Sequence, residues 1–109
     1  MTTYQVQILR TAEEAIFHQA RYIAADSPSN ASKWLGKMWH AISALALFPH
    51  RNPVASLESE IIGTEVRRLV IGNHIAYYHN DENRLLVEVW SFRHAATSKD
   101  IDSVKHDRH

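Results

Sequence analysis

The hydrophobic pattern of this chain changes its period near residue 65, and this change limits the fold more than any other feature. Residues 28–48 place apolar side chains every three or four positions, which is the spacing of one face of a helix. After residue 65, β-branched and aromatic residues gather in short runs between turn residues, which is typical of strands. Helices followed by neighbouring strands predict an α+β domain.

Two helices are predicted before the change in period. Thr11 and Glu14 match a capping box, so we expect the first helix to begin there. It should end at the Ser27-Pro28 step, because the residue before a proline disfavours the helical conformation. The same step starts the second helix, since Ser is a good N-cap and Pro suits the first helical position. We expect this helix to stop just before Pro49.

Strands are predicted at the N-terminus and after residue 65. Tyr4, Val6 and Ile8 alternate with two glutamines, which indicates a strand with one solvated face. Later runs predict strands over residues 65–71, 74–79 and 85–92. Gly72 and Asn73 separate the first two of these runs and predict a two-residue hairpin turn.

The remaining segments are assigned to loops and to the C-terminal end. Residues 49–60 contain two prolines and no clear period, so they are expected to form a connecting loop, and residues 80–83 a turn. One short helix is plausible over residues 98–104, before a frayed tail from about residue 105. The predicted order is β-α-α-β-β-β in a single domain, with the helical hairpin packed on one face of a small antiparallel sheet.

The composition excludes several classes of function. Twelve Lys and Arg balance twelve Asp and Glu, and the pI is about 7.1, which argues against long-range attraction to nucleic acid. Cysteine is absent, which excludes disulfides, thiolate metal sites and a Cys nucleophile. No apolar run is long enough for a membrane span or a signal peptide, so a cytoplasmic location without membrane contact is expected.

The histidines and glycines do not predict a cofactor. His74 and His79 are an odd number of positions apart on one predicted strand and therefore face opposite sides. His106 and His109 could hold a metal ion only if the tail formed a helix. The three glycines are isolated, which argues against a phosphate-binding loop. We therefore expect neither a metal site nor a nucleotide cofactor.

The last predicted strand carries apolar residues on both faces. By alternation, one face has Leu85, Val87 and Val89, and the other has Leu86, Trp90 and Phe92. Two helices cover only one face of a four-stranded sheet, so we infer a partner-binding groove over the second of these sets. In the alternative, Trp34, Trp39 and the C-terminal tail cover both faces.

Two stretches of the sequence carry a resemblance to a known family. Residues 66–78, VRRLVIGNHIAYY, precede residues 87–94, VEVWSFRH, in an order and spacing that resembles the RelE/ParE toxin superfamily of bacterial type II toxin-antitoxin systems. The helical hairpin and the Phe48-Pro49 exit match the same layout. The chain is most similar to the ParE-like branch, which includes plasmid stabilisation proteins, over residues 4 to about 100.

This resemblance implies a small toxin that a cognate antitoxin neutralises by wrapping a flexible C-terminal segment across the sheet and helices of the toxin. In the superfamily, ParE-like members poison DNA gyrase, whereas RelE-like members cut mRNA in the ribosome. The resemblance therefore implies either a protein-binding toxin or a ribosome-dependent ribonuclease, and the choice depends on chemistry.

Cutting RNA by attack of a 2′-hydroxyl needs proton-transfer groups and cations around the phosphate. Arg67, Arg68 and Arg93 could face a phosphate, and His94 could shuttle a proton, so these four are the candidate catalytic residues of a ribonuclease. RelE-like toxins also supply a late tyrosine and clustered lysines. This chain has no tyrosine after Arg93 and no lysine between residues 37 and 99, so protein binding is favoured. A ribonuclease and a non-toxic binding module of the same fold are the alternatives.

The arginines also belong to the predicted partner-binding set. That set is Leu86, Trp90, Phe92, Arg67, Arg68 and Arg93. Arg67 and Arg68 are adjacent on a strand and point to opposite faces, so the one on the apolar face could instead form a salt bridge with Glu65 or Glu88. The Arg-His pair that ends the last strand could likewise make only capping contacts.

Overall fold

The structure is a computed structural model that describes residues 2–95. These residues form a helical hairpin and a four-stranded sheet, with a third, short helix between them. The elements are β1 (Gln5–Ile8), α1 (Arg10–Asp26), α2 (Pro28–Ser43), a 3-10 turn (Ala44–Ala46), α3 (Ser56–Ile62), β2 (Arg67–Ile71), β3 (His74–Asp81) and β4 (Leu86–His94). The predicted α+β class is confirmed. The helix predicted at residues 98–104 and the predicted tail lie outside the described residues.

The first helix begins earlier than the capping box predicts. The chain leaves β1 at Leu9, whose N–H still donates to the Val89 carbonyl at 3.0 Å. The Leu9 carbonyl then accepts from the Glu13 N–H at 3.0 Å, so the N-cap of α1 is Leu9 and not Thr11. The predicted role of Thr11 as N-cap is therefore wrong, because strand pairing fixes the position of the preceding residue.

The second helix begins as predicted. Ser27 is its N-cap, with the side-chain oxygen accepting from the Asn30 N–H at 3.2 Å, and Pro28 takes the first helical position. The α-helix ends at Ser43, and the 3-10 turn continues the helical path of the chain to Ala46. This tighter turn replaces the last turn predicted for the helix.

Residues 49–60 are not wholly a loop, because α3 begins at Ser56. Leu57 and Ile61 have helical spacing, and Gly63 ends the helix in the left-handed conformation with φ 88°. The last strands also differ from prediction at their ends. β3 extends to Asp81, which pairs with Leu86, so the turn falls on residues 82–85.

The sheet has the strand order β1-β4-β3-β2. β2, β3 and β4 form the predicted antiparallel meander, and Gly72 and Asn73 close the first hairpin, with Ile71 opposite His74. β1 pairs in parallel with β4, so the sheet is mixed and not wholly antiparallel. The reason is the helical hairpin, which returns the chain to the far side of the sheet before β2 begins and leaves β1 running beside the last strand in the same direction.

The main core lies between the helical hairpin and one face of the sheet. Its buried members include Ala12, Ile16, Met38, Ile42, Leu45, Ala76, Tyr78, Val87, Val89 and Phe92. The helical residues recur at three- and four-residue spacing, as the sequence predicts. No helix in the described part of the chain has both the length and the apolar character that a membrane crossing requires.

His74, the first residue of β3, is a buried polar side chain at one end of this core and is 7% exposed. Its ring stacks on Phe92 with centroids 5.0 Å apart, and the rings of Trp34 and His94 meet it edge-on. The His74 Nε2 atom has no hydrogen-bond partner among the described residues. Burial, and then the neighbouring His94, lower the pKa of His74.

Acid should therefore destabilise the fold through His74. Because its folded-state pKa lies below the unfolded value of about 6.5, its stabilising contribution is complete above that pH and is lost as the pH falls through the folded-state pKa. Urea unfolding at pH about 7.5 and about 5.5 should show this fall in the free energy of unfolding. His74→Phe should reduce the fall, whereas the surface control His40→Gln should keep it. An equal fall in His74→Phe would contradict the assignment.

Candidate partner-binding surface

We call the side of the sheet opposite α1 and α2 the open face. The strand registers and packing place on it Arg68, Ile75, Tyr77, His79, Glu88, Trp90 and Arg93. Arg68 pairs with Tyr77, Ile75 with Arg93, and His79 with Glu88, so these side chains project together from three neighbouring strands.

The start of α3 covers one part of the open face. Ala55, Val66 and Tyr77 form a small buried cluster, with Ile75 and Trp90 packed at its margin. Ser59 holds α3 in place, because its hydroxyl accepts from the Val66 N–H at 2.8 Å and lies 3.1 Å from the Val66 carbonyl. Residues 2–95 thus cover the open face only in part. The uncovered area is smaller than the whole sheet face that the sequence analysis assumed.

A bulge at Trp90 decides which residues of β4 reach the open face. Tyr78 pairs with Val89 and Tyr77 with Ser91, so Trp90 is the extra residue without a partner on β3. Beyond the bulge the alternation is reversed. Phe92 pairs with Ala76 and is buried in the main core beneath the helices.

The predicted shared face of Leu86, Trp90 and Phe92 is therefore wrong in one member. Strict alternation would place Phe92 beside Trp90, but the inserted residue turns Phe92 to the helical side. Leu86 does lie on the side of the open face, opposite Gln5, and it is buried at 6% exposure. It forms the floor of a groove of about 410 Å³ that Gln5, Gln7 and Arg84 also line.

Trp90 is the half-buried aromatic residue at the centre of the open face. Its ring stacks on His79 with centroids 5.3 Å apart and an interplanar angle of 27°. One edge of the indole packs against the small cluster under α3, while the side chain stays accessible. An aromatic residue that is packed on one side and accessible on the other suits a contact with a partner protein.

Arg93 is fixed beside Trp90 by Tyr77. The guanidinium donates to the Tyr77 hydroxyl and its carbon lies 5.1 Å from the centre of the tyrosine ring. Burial raises the pKa of Tyr77, while the Arg93 charge opposes this effect and Glu58 of α3 adds to it. The open face thus presents a positioned cation next to an aromatic ring.

Arg67 and Arg68 divide between the two faces, as predicted. Arg67 lies on the helical side and donates to the carbonyls of Asn52 at 2.7 Å and His50 at 3.2 Å. It also lies 3.3 Å from the Glu65 carboxylate, which is one of the two salt bridges proposed for an inward arginine. Arg68 is exposed on the open face. Arg67 therefore anchors a loop, and Arg68 is the arginine of this pair that is available to a partner.

The four candidate ribonuclease residues are not brought together. Arg67 and His94 lie on the helical side, opposite Tyr78 and His74. Four positions of β3 separate these partners, about 13 Å along the strand, and β3 itself lies between the two residues, so the two side chains start about 16 Å apart. Arg68 and Arg93 lie on the open face, so the set is divided by the sheet itself. Residues 2–95 also contain no group of three His, Asp or Glu residues placed to hold a metal ion.

Sequence reasoning missed three contributors to this surface. His79 was considered only as a metal ligand, and neither Glu58 nor Tyr77 was assigned to the surface. The signal for α3, which positions Glu58, was present in the spacing of Leu57 and Ile61 before Gly63. The bulge that turns Phe92 to the helical side has no comparable signal, because every residue from 85 to 92 is compatible with regular alternation.

Comparison with known proteins identifies a family. A family model described as "ParE toxin of type II toxin-antitoxin system, parDE" matches residues 6–98, which is most of the chain. The match includes all of the open face and both helices of the hairpin. A search of curated proteins found no match.

The different roles of the adjacent arginines can be tested by stability. Arg67→Ala leaves two inward carbonyls and the Glu65 carboxylate without their donor, so it should lower the free energy of unfolding by about 1–3 kcal/mol. Arg68→Ala is the matched control and should change it by less than about 0.5 kcal/mol. Urea unfolding of both variants measures this difference. Equal losses would contradict the assignment of Arg67 as the loop anchor.

Proposed function

Because the chain belongs to the ParE toxin family of type II toxin-antitoxin systems, we propose that it acts as a toxin by binding a protein, DNA gyrase, and that a cognate antitoxin neutralises it. The observation that carries the proposal is the open face. It combines an accessible aromatic residue, Trp90, with the cations Arg68 and Arg93 on one side of the molecule.

The open face has the chemistry of a protein interface. Aromatic residues and arginine are the side chains most enriched at the energetic centres of such interfaces. Trp90 supplies apolar area, and Arg93 is already oriented by Tyr77, so little side-chain entropy is lost when a partner carboxylate binds it. These features support protein binding by both proposed partners, the antitoxin and gyrase.

The placement of the arginines also weighs against the alternative reaction. A ribonuclease must converge its cations and its proton donor on one phosphate. Here Arg67 is engaged by backbone carbonyls on the helical side, while Arg68 and Arg93 lie on the other side of the sheet. With the neutral overall charge, this division supports a protein target in preference to ribosome-bound mRNA.

Antitoxin binding should depend on Trp90. Trp90→Asp places a carboxylate at the margin of the small apolar cluster. It should weaken the complex with the co-expressed antitoxin by at least about 30-fold, because tryptophans at the centre of an interface typically contribute about 2 kcal/mol or more. Trp90→Phe keeps an aromatic ring and is the matched control, which should retain most of the affinity. Titration calorimetry measures both, with circular dichroism to verify folding. Unchanged affinity of a folded Trp90→Asp variant would contradict this role.

Inhibition of gyrase tests the target. Micromolar protein should block supercoiling by purified gyrase and accumulate DNA breaks, and Arg68→Glu and Arg93→Glu should each weaken inhibition because they reverse the accessible cations. Arg21→Glu, on the exposed surface of α1, is the control and should inhibit normally. Absence of inhibition would contradict the gyrase assignment and favour a non-toxic binding module. Codon-specific cuts in ribosome-bound mRNA would instead favour the ribonuclease.

A further inference from the structure

The outer edge of β2 is only partly covered by the other residues that the structure describes. Val54 forms an isolated bridge with Arg67, and the Ala55 N–H donates to the Val66 carbonyl at 2.7 Å. On the other side of the bridge, the Arg68 N–H donates to the Pro53 carbonyl at 3.1 Å. Residues 53–55 thus act as a very short fifth strand that ends beside Arg68.

Beyond Arg68 the edge is open. The N–H and C=O groups of even-numbered residues in β2 point away from β3, because residues on a strand alternate between its two edges. The Arg68 carbonyl and both backbone groups of Val70 have no backbone partner within residues 2–95. Val70 itself is 60% exposed. An unpaired strand edge of this kind is a template for another extended chain.

A cavity adjoins this open edge on the helical side. It has a volume of about 200 Å³, and its lining includes Ala41, Leu45, Leu69, Phe48, Arg51 and Asn52. The cavity is preformed, because the loop that bounds it is tied down by several side chains. Arg67 donates to two of its carbonyls, and the Tyr78 hydroxyl donates to the Pro49 carbonyl at 2.7 Å. The apolar floor can accept one aliphatic side chain.

Two arginines flank the open edge without carboxylate partners. The Arg51 guanidinium lies 4.2 Å above the Phe48 ring at the rim of the cavity, and Arg68 is exposed on the open face. The ion pairs formed within the described part of the chain involve other residues, His50, Arg67 and Arg84. The ligand of this edge should therefore carry negative charge.

We propose that the outer edge of β2 binds an extended acidic segment of a partner protein as an added strand. Its backbone pairs with Val70, an aliphatic side chain enters the cavity beside Leu69 and Arg51, and acidic side chains on the opposite face of the added strand meet Arg68. Since side chains alternate along a strand, the matching sequence alternates acidic and aliphatic residues. A second copy of the chain fits poorly, because edge-to-edge pairing would gather four arginines. The inference rests on the proposed function only for the identity of the partner that supplies the segment.

Amide NMR of the full chain with a short capped peptide of alternating Glu and Val tests this inference. The Val70 N–H should shift on titration and exchange more slowly with solvent, whereas the amides of β1, at the opposite edge, should not change. Arg68→Glu should weaken binding by about fivefold, as expected for an exposed charge pair. A peptide in which Lys replaces Glu is the charge control and should bind the unchanged protein more weakly than the acidic peptide does.

The result separates this site from the open face. Trp90→Asp should leave peptide binding unchanged, so loss of antitoxin or gyrase binding in that variant would not affect this test. An unshifted Val70 amide at saturating peptide, equal binding of the Lys peptide, or protection of Val70 by dimerisation without peptide would each overturn the inference.

Discussion

The alternation of side chains along β4 breaks at Trp90, and both surfaces of the sheet take their composition from this break. With regular pairing, Trp90 and Phe92 would lie together on the open face, and the helices would lose a core side chain. The inserted residue sends Phe92 into the main core, where it stacks on His74, and leaves Trp90 beside His79. One bulge thereby serves both the stability of the helical side and the accessibility of the opposite side.

The charged residues follow the same division. Arg67 is directed inward and stabilises the loop before α3 through two carbonyls, so its charge serves the fold. Arg68 and Arg93 lie on the open face, where Tyr77 orients the second of them. A sheet that separates its cations in this way is suited to contact a protein surface and poorly suited to surround one phosphate.

The predictable parts of the fold depend on signals local in sequence. The cap formed by Ser27 and the two-residue turn at Gly72 are chosen by the chemistry of a few neighbouring residues, and both are confirmed. The start of α1 at Arg10 was not predicted, because the pairing of Leu9 with β4 overrides the capping preference of Thr11. The bulge and the parallel pairing of β1 likewise depend on contacts between distant strands. The candidate site was therefore predicted in its residue types and only partly in its grouping.

The central claim is that a partner covers the open face at Trp90. Of the three tryptophans, Trp34 and Trp39 lie in α2, so a Trp34→Phe/Trp39→Phe variant reports on Trp90 alone. Fluorescence of this variant, shown by circular dichroism to be folded, should shift to shorter wavelength and become less accessible to acrylamide when the antitoxin binds. Formation of the complex with unchanged Trp90 emission and unchanged acrylamide quenching would contradict the account.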